Sequence, residues 1–213
     1  QNVPRIDWSH GRPALRLEGS STNLIRNPRG EGAIVGQLGS GGAFGTHWSV
    51  ASTAGLTWEV VSIGVEDGLP YLDIRCSGTP NTTFALIRFE SLTQIPASQG
   101  QTSTFSVYVR RIAGSLPSGA SVGVRVQERD SQNVSLEQSQ TLIDPDAPRL
   151  GLARRAHTRT LTNPSTAYVV GYLLYTGLPT TQSIDLTLRV ALPQHEQAPV
   201  PSSLILPPPG APA

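Results

Sequence analysis

The sequence predicts an all-β chain, an antiparallel two-sheet β-sandwich or barrel with no convincing amphipathic helix. Three observations predict it. Apolar and polar residues alternate with period two in segment after segment, the segments recur at roughly ten-residue spacing, and turn-forming clusters separate them. In chain order, residues 56–65 and 71–76 are strands on either side of Glu66-Asp67-Gly68, and 83–90 follows the turn Ser77-Gly78-Thr79-Pro80. Residues 105–110 alternate Phe105, Val107 and Val109 with Ser106, Tyr108 and Arg110, and Pro117-Ser118-Gly119 punctuates the chain before 122–127. Arg129-Asp130-Ser131 leads to 135–142, followed by 157–161, 167–175 and 184–190, the last being the cleanest alternation of all.

The ends read differently. Residues 1–21 hold Pro4, Gly11 and Pro13 without a sustained pattern and are expected to form an extended arm. Residues 198–213 carry Pro199, Pro201, Pro207, Pro208, Pro209 and Pro212, a density expected of a stiff linker. The sandwich domain is then expected over 22–197.

A chain of 213 residues suits one domain, able to bury roughly 70% of its unfolded surface. Its 16 cations, all arginine, face 15 acidic residues, so the formal charge of +1 provides no global field toward nucleic acid or an anionic membrane. Methionine is absent, which is expected of a module lying inside a longer polypeptide. The single Cys76 excludes an internal disulfide and a multi-thiolate metal site. No apolar run approaches the ~20 residues of a membrane span, so no membrane insertion is expected.

Several motifs are more specific. Pro4-Arg5-Ile6-Asp7-Trp8, Gly11-Arg12-Pro13-Ala14-Leu15, Leu17-Glu18-Gly19 and Thr22-Asn23-Leu24 resemble the junction found in bacteriophage and gene-transfer-agent fibre proteins. The stretch from Asn23 to Gly32, with Trp48 downstream, is similar to the start of xylan- and glucan-binding jelly-roll modules. The close, Ala191 to Gln197 followed by Pro201 to Pro207, is similar to the ending of the phage modules. Arg29-Gly30 stands where the pattern has an aromatic residue, and His195 where it has an aliphatic one.

This resemblance implies a jelly-roll β-sandwich in a virion-associated, extracellular fibre or head spike that contacts bacterial cell-surface, capsular polysaccharide. Its partners would be that polysaccharide and other fibre or spike modules, with a homo-oligomer as one assembly. It also implies one structural calcium, with Glu31 and Asp185 in the matching ligand places, and for Trp48 either a groove-lining role or a core or rim-packing one. Trp8, in the arm, is expected to pack on the domain or on a neighbouring subunit.

Alternation sorts the side chains by face. With Leu72, Ile74, Cys76, Phe105, Val107, Val109, Val122, Val124 and Val126 inward, the outward set includes Tyr71, Arg75, Tyr108, Arg110, Arg125, Gln127 and Arg129. These seven and Trp48 are the candidate glycan-binding residues. Sugar C–H faces stack on aromatic planes, and the arginine fork matches carboxylates, sulfates or phosphates. Arginine and tyrosine are also ordinary on a solvent-facing sheet.

Catalysis is not expected. The carboxylate pairs Glu128/Asp185 and Asp73/Glu90 could serve hydrolysis only across one cleft, and His157 among Arg154, Arg155 and Arg159 is the nearest approach to a lyase base. His10, His47, His157 and His195 lack zinc-ligand spacing. The basic run 149–159 lacks interleaved aromatics, which argues against nucleic acid. Three functions compete: a glycan-binding module, a structural oligomerisation module of a fibre, and a polysaccharide depolymerase.

Overall fold

The computed structural model describes residues 5–7, 14–16, 21–51 and 53–207. Trp8, His10 and residues 208–213 lie outside the described residues. The described residues form thirteen strands: β1 Arg5–Asp7, β2 Ala14–Arg16, β3 Gly36–Gln37, β4 Ser49–Ala51, β5 Leu56–Glu66, β6 Leu69–Gly78, β7 Phe84–Arg88, β8 Thr102–Ser115, β9 Ser121–Arg129, β10 Ser135–Ile143, β11 Arg154–Thr160, β12 Tyr168–Thr176 and β13 Ile184–Glu196. A 3-10 turn, Leu150–Leu152, precedes β11, and no helix among the described residues is long and apolar enough to cross a membrane.

β1 pairs with β2. The other strands make two antiparallel sheets, one of five strands in the order β10-β9-β12-β7-β4 and one of six in the order β11-β8-β13-β6-β5-β3. The sheets form a jelly-roll β-sandwich, because most of the long strands have an apolar face to bury and the chain crosses repeatedly from one sheet to the other. The β5–β6 connection is a two-residue hairpin turn in which Asp67 and Gly68 both have positive φ, 53° and 78°, a backbone that matches the twist of paired strands.

The core lies between the sheets. Val60, Leu72, Ile74, Cys76, Phe105, Val107, Val109, Leu188 and Val190 come from the six-stranded side and meet Ala85, Ile87, Val122, Val124, Val126, Leu173 and Tyr175. Each inward assignment made from alternation in β6, β8 and β9 is found here. Gly171 leaves room for the Phe105 ring, since a Cβ at 171 would lie 2.3 Å from Phe105 Cγ. Gly171→Ala is therefore expected to overpack the core and cost about 1–3 kcal/mol, measurable by urea unfolding. Unchanged stability would mean that the ring moves aside freely.

A β-bulge shifts the β13 register between Ala191 and Gln194, with Leu192 at φ 49°. Before it Leu186, Leu188 and Val190 point inward; after it the inward residue is His195, opposite Phe105. The outer face of the six-stranded sheet is itself covered. Leu150, Ala153, Ala191 and Leu192 pack there with Tyr71, Tyr108, Leu204 and Leu206. The first part of the expected linker is thus held on the body: Arg154 Nη1 donates to Ser202 O at 2.6 Å and Ile205 N to Gln194 Oε1 at 2.8 Å.

Candidate functional site

The outward residues chosen from the sequence divide between two faces on opposite sides of the molecule. Tyr71, Arg75, Tyr108 and Arg110 belong to the six-stranded sheet, whereas Arg125, Gln127 and Arg129 belong to the five-stranded one. Period-two alternation identifies the outward side of a strand but not its sheet, so the eight candidates do not form one surface.

On the six-stranded face the charges are already matched. Arg75 forks onto Asp185 at 2.8 and 2.6 Å. Arg110 reaches Glu66 at 3.1 Å, and Arg189 makes two 2.8 Å bonds to Asp73 and one of 2.5 Å to Glu66. The Arg189 guanidinium stacks 3.5 Å from the Tyr71 ring centroid, and Arg154 sits 5.8 Å from that of Tyr108. Both rings are also packed beneath the tail and the 3-10 turn. They serve as packing surfaces here, not as open stacking platforms.

Trp48 is buried, with its Nε1 donating to Asn27 O at 2.8 Å and its ring edge-on to Phe89 at 4.8 Å. It fastens the loop of the start motif to the core and does not line a sheet groove. Glu31 and Asp185 are not brought together either. Glu31 follows Gly30, which lies against the inward Leu72, whereas Asp185 pairs with Ser77 on the outer face, five residues or about 17 Å further along β6. The Asp185 carboxylate is engaged by Arg75, whose hydrogen bond holds it below its ordinary range. A single calcium shared by the two does not fit this arrangement.

The catalytic alternatives separate in the same way. Glu128 is buried against Arg159, Thr166 and the amides of Thr162 and Asn163; Glu90 is buried against Arg26; Asp73 lies under Arg189. No proposed carboxylate pair shares a cleft. His157 has both ring nitrogens engaged, by Ser139 at 2.7 Å and Thr141 at 2.9 Å, between the adjoining edges of the two sheets. Burial, and then Arg159, hold it below its ordinary pKa.

The five-stranded sheet presents an open groove of about 480 Å³ on its outer face. Strand register lays two rows across this face, and the groove opens on part of each, Arg125, Tyr172 and Arg88 of the first and Leu86 and Ala51 of the second. One is polar, Gln140–Arg125–Tyr172–Arg88–Ser49, and the next is apolar, Leu142–Gly123–Leu174–Leu86–Ala51. Leu86, Val170, Tyr172 and Leu174 form an apolar cluster of their own on this side, and Phe84, 38% exposed, is the aromatic ring open to solvent in the groove lining.

Neutral acceptors hold the groove's cations in place. Arg125 donates to Gln140 Oε1 at 2.9 and 2.7 Å and to Gln138 Oε1 at 3.2 Å. Gln127 Oε1 accepts from Tyr172 at 2.9 Å and from Arg129 at 2.7 Å, and Arg129 also grips Asn133. Burial draws the Arg125 guanidinium below its ordinary value, and burial pushes the Tyr172 phenol up against the opposing influence of Arg129, Arg88 and Arg125. Such an arrangement offers fixed hydrogen-bond donors beside an apolar floor, the combination that binds a ring with one C–H face and polar edges.

Arg88, Tyr172 and Phe84 were missed in the sequence because 83–90 and 167–175 are apolar on both faces, which reads as full burial. In an antiparallel sheet, that double-sided pattern is the available signal of an apolar outer floor.

The fold and this groove define a two-sheet jelly-roll sandwich with a ligand-sized cleft on one face. No protein-family model matches the sequence, and no curated protein matches it. Among solved structures, the arabinose-bound α-L-arabinofuranosidase MgGH51 is 14% identical with a TM-score of 0.55, over 82% of this chain and 26% of that one. The enzymatically active domain of tailspike protein 4 of bacteriophage CBA120 is 10% identical with a TM-score of 0.51, over 81% of this chain and 21% of that one. The xylan-binding domain CBM22-1 of Paenibacillus barcinonensis Xyn10C is 14% identical over 86% of this chain and 99% of its own, with a TM-score of 0.48. The chain spans about a fifth to a quarter of the first two. These likenesses are of fold.

Proposed function

We propose that the chain is a non-catalytic glycan-binding module that takes a polysaccharide across the five-stranded sheet, within an extracellular, phage-like fibre or spike that attaches to the capsular polysaccharide of a bacterium. The observation that carries this reading is the groove lining itself, which sets the donors Arg88, Arg125, Gln127 and Arg129 beside Phe84, Leu86 and Leu92 without a carboxylate. The fold shared with a phage tailspike domain and an arabinofuranosidase is consistent with it. Affinity electrophoresis against a panel of capsular polysaccharides tests it. Arg125→Ala is expected to weaken binding by about 1–3 kcal/mol, the loss of one charge-assisted contact, while Tyr108→Ala, beneath the tail, leaves it unchanged. Absence of retention on every glycan would remove the reading.

A second reading, fibre assembly, is favoured by one observation. β3 pairs only with Glu59 and Val60, so the second half of β5 runs along the sheet edge with Val61, Ile63 and Val65 exposed. A stable oligomer in sedimentation, together with silence on the glycan panel, would favour it.

A further inference from the structure

The distribution of counter-charges deepens the glycan-binding reading, on which this step rests. Arg26, Arg75, Arg110, Arg111, Arg159 and Arg189 each have a carboxylate partner. Arg88, Arg125 and Arg129 have none: among the described residues they bond only to amide or carbonyl oxygens, and no Asp or Glu lines their groove. The buried Nε of Arg88 meets no acceptor at all. A chain with 16 arginines and 15 acidic residues has thus kept three cations unneutralised in one cleft, and the formal total of +1 conceals it.

A half-buried guanidinium held by neutral glutamines is costly to the free protein and is relieved when an anion arrives. Arg88 and Arg125 lie on either side of Tyr172 in one row, two strands or about 10 Å apart, and Arg129 follows Arg125 four residues along β9, about 13 Å away. Anchors so separated suit a polymer with repeated acidic groups better than a single small anion. Phe84, Leu86 and Leu92 beside them suit sugar C–H faces. Nucleic acid would want several exposed aromatic planes, and the groove offers Phe84 alone.

We propose that the groove selects an anionic polysaccharide, with Arg88, Arg125 and Arg129 receiving its carboxylate or sulfate groups and Phe84, Leu86 and Leu92 receiving the sugar faces. Two matched pairs of probes test this on the full chain by affinity electrophoresis and calorimetry: polygalacturonate against its methyl ester, and dextran sulfate against dextran. Single-stranded DNA provides a further arm. The expected result is retention of at least one acidic polymer, at least tenfold weaker binding of its uncharged counterpart, and affinity that falls with added salt. Which acidic polymer is retained distinguishes carboxylate from sulfate recognition.

Arg125→Gln and Arg88→Gln are each expected to reduce that affinity about five- to fiftyfold. Arg75→Gln, on the opposite face, leaves it unchanged. Circular dichroism and melting of each variant confirm that the fold is intact, and Arg125, bonded only to glutamines, is the variant whose loss is read first. Equal retention of charged and uncharged polymers would overturn the selectivity while leaving glycan binding in place. Failure to retain any of the four would remove both. DNA bound as tightly as the acidic glycan would overturn the assignment in favour of a general polyanion site.

Discussion

Replacing Glu128 with alanine is expected to destabilise the fold by about 3–5 kcal/mol, the range for breaking a buried ion pair from one side. The carboxylate is fully buried at the end of β9. Its two oxygens accept from the amides of Thr162 and Asn163 at 3.0–3.1 Å, from the Thr166 hydroxyl at 2.6 Å and from Arg159 Nε at 2.8 Å. Burial pushes this carboxyl up, but Thr166, the two amides and Arg159 outweigh it and hold it below its ordinary value. Alanine would strand Arg159 and two amides together, and it would release the connection between β11 and β12. Glu128→Gln keeps the shape and part of the bonding, so it should cost less. Urea unfolding at neutral pH measures both, and a loss below about 1 kcal/mol for alanine would show that water or a shifted Arg159 satisfies the site without it.

The same residue illustrates how far the sequence carries. Each of the nine segments that alternation and turn punctuation mark out contains a strand, since a strand writes its burial directly into the local residue order. Partnership across the chain has no such local record. Arg75 and Asp185 are 110 positions apart, and Arg189 and Glu66 are 123 apart, yet these pairs decide which arginines are spoken for. Without sheet membership, Tyr108 and Arg125 look alike: both are outward, polar-tipped and flanked by valines. Only the pairing of β9 with β12, against that of β8 with β13, puts one beside an open groove and the other under Leu204 and Leu206. Residues 198–207 make a related point. Their prolines forbid a central strand and mark a linker, yet a chain without ladder bonds still docks through two leucines and a few side-chain hydrogen bonds.

His195 carries the last prediction. Strict alternation from Ile184 would have turned Leu192 and Gln194 inward, but the bulge at Ala191–Gln194 brings this histidine into the core instead, against Phe105 at 5.7 Å and Ser103 Oγ at 2.6 Å, with Nδ1 buried and unpartnered. Burial drives its pKa down from 6.5 to about 3. The unfolded chain therefore binds a proton that the folded one refuses throughout that interval, so stability rises with pH across it and is lost on acidification from about 6.5 downward. At 1.36 kcal/mol per pH unit, lowering the pH from 7 to 5 should cost roughly 2 kcal/mol through His195 alone. His157, also held neutral by burial, acts in the same direction. Glu90 and Glu128, depressed below 4.5, add their losses only at lower pH, so pH 5 isolates the histidines. Urea unfolding of the chain and of the double variant His195→Leu, Ser103→Ala at both pH values provides the test. The variant removes the titrating ring together with the hydroxyl that would otherwise be orphaned, and its pH 7 to 5 loss should shrink by roughly 2 kcal/mol; an unchanged loss would mean that the ring is protonated in the folded core.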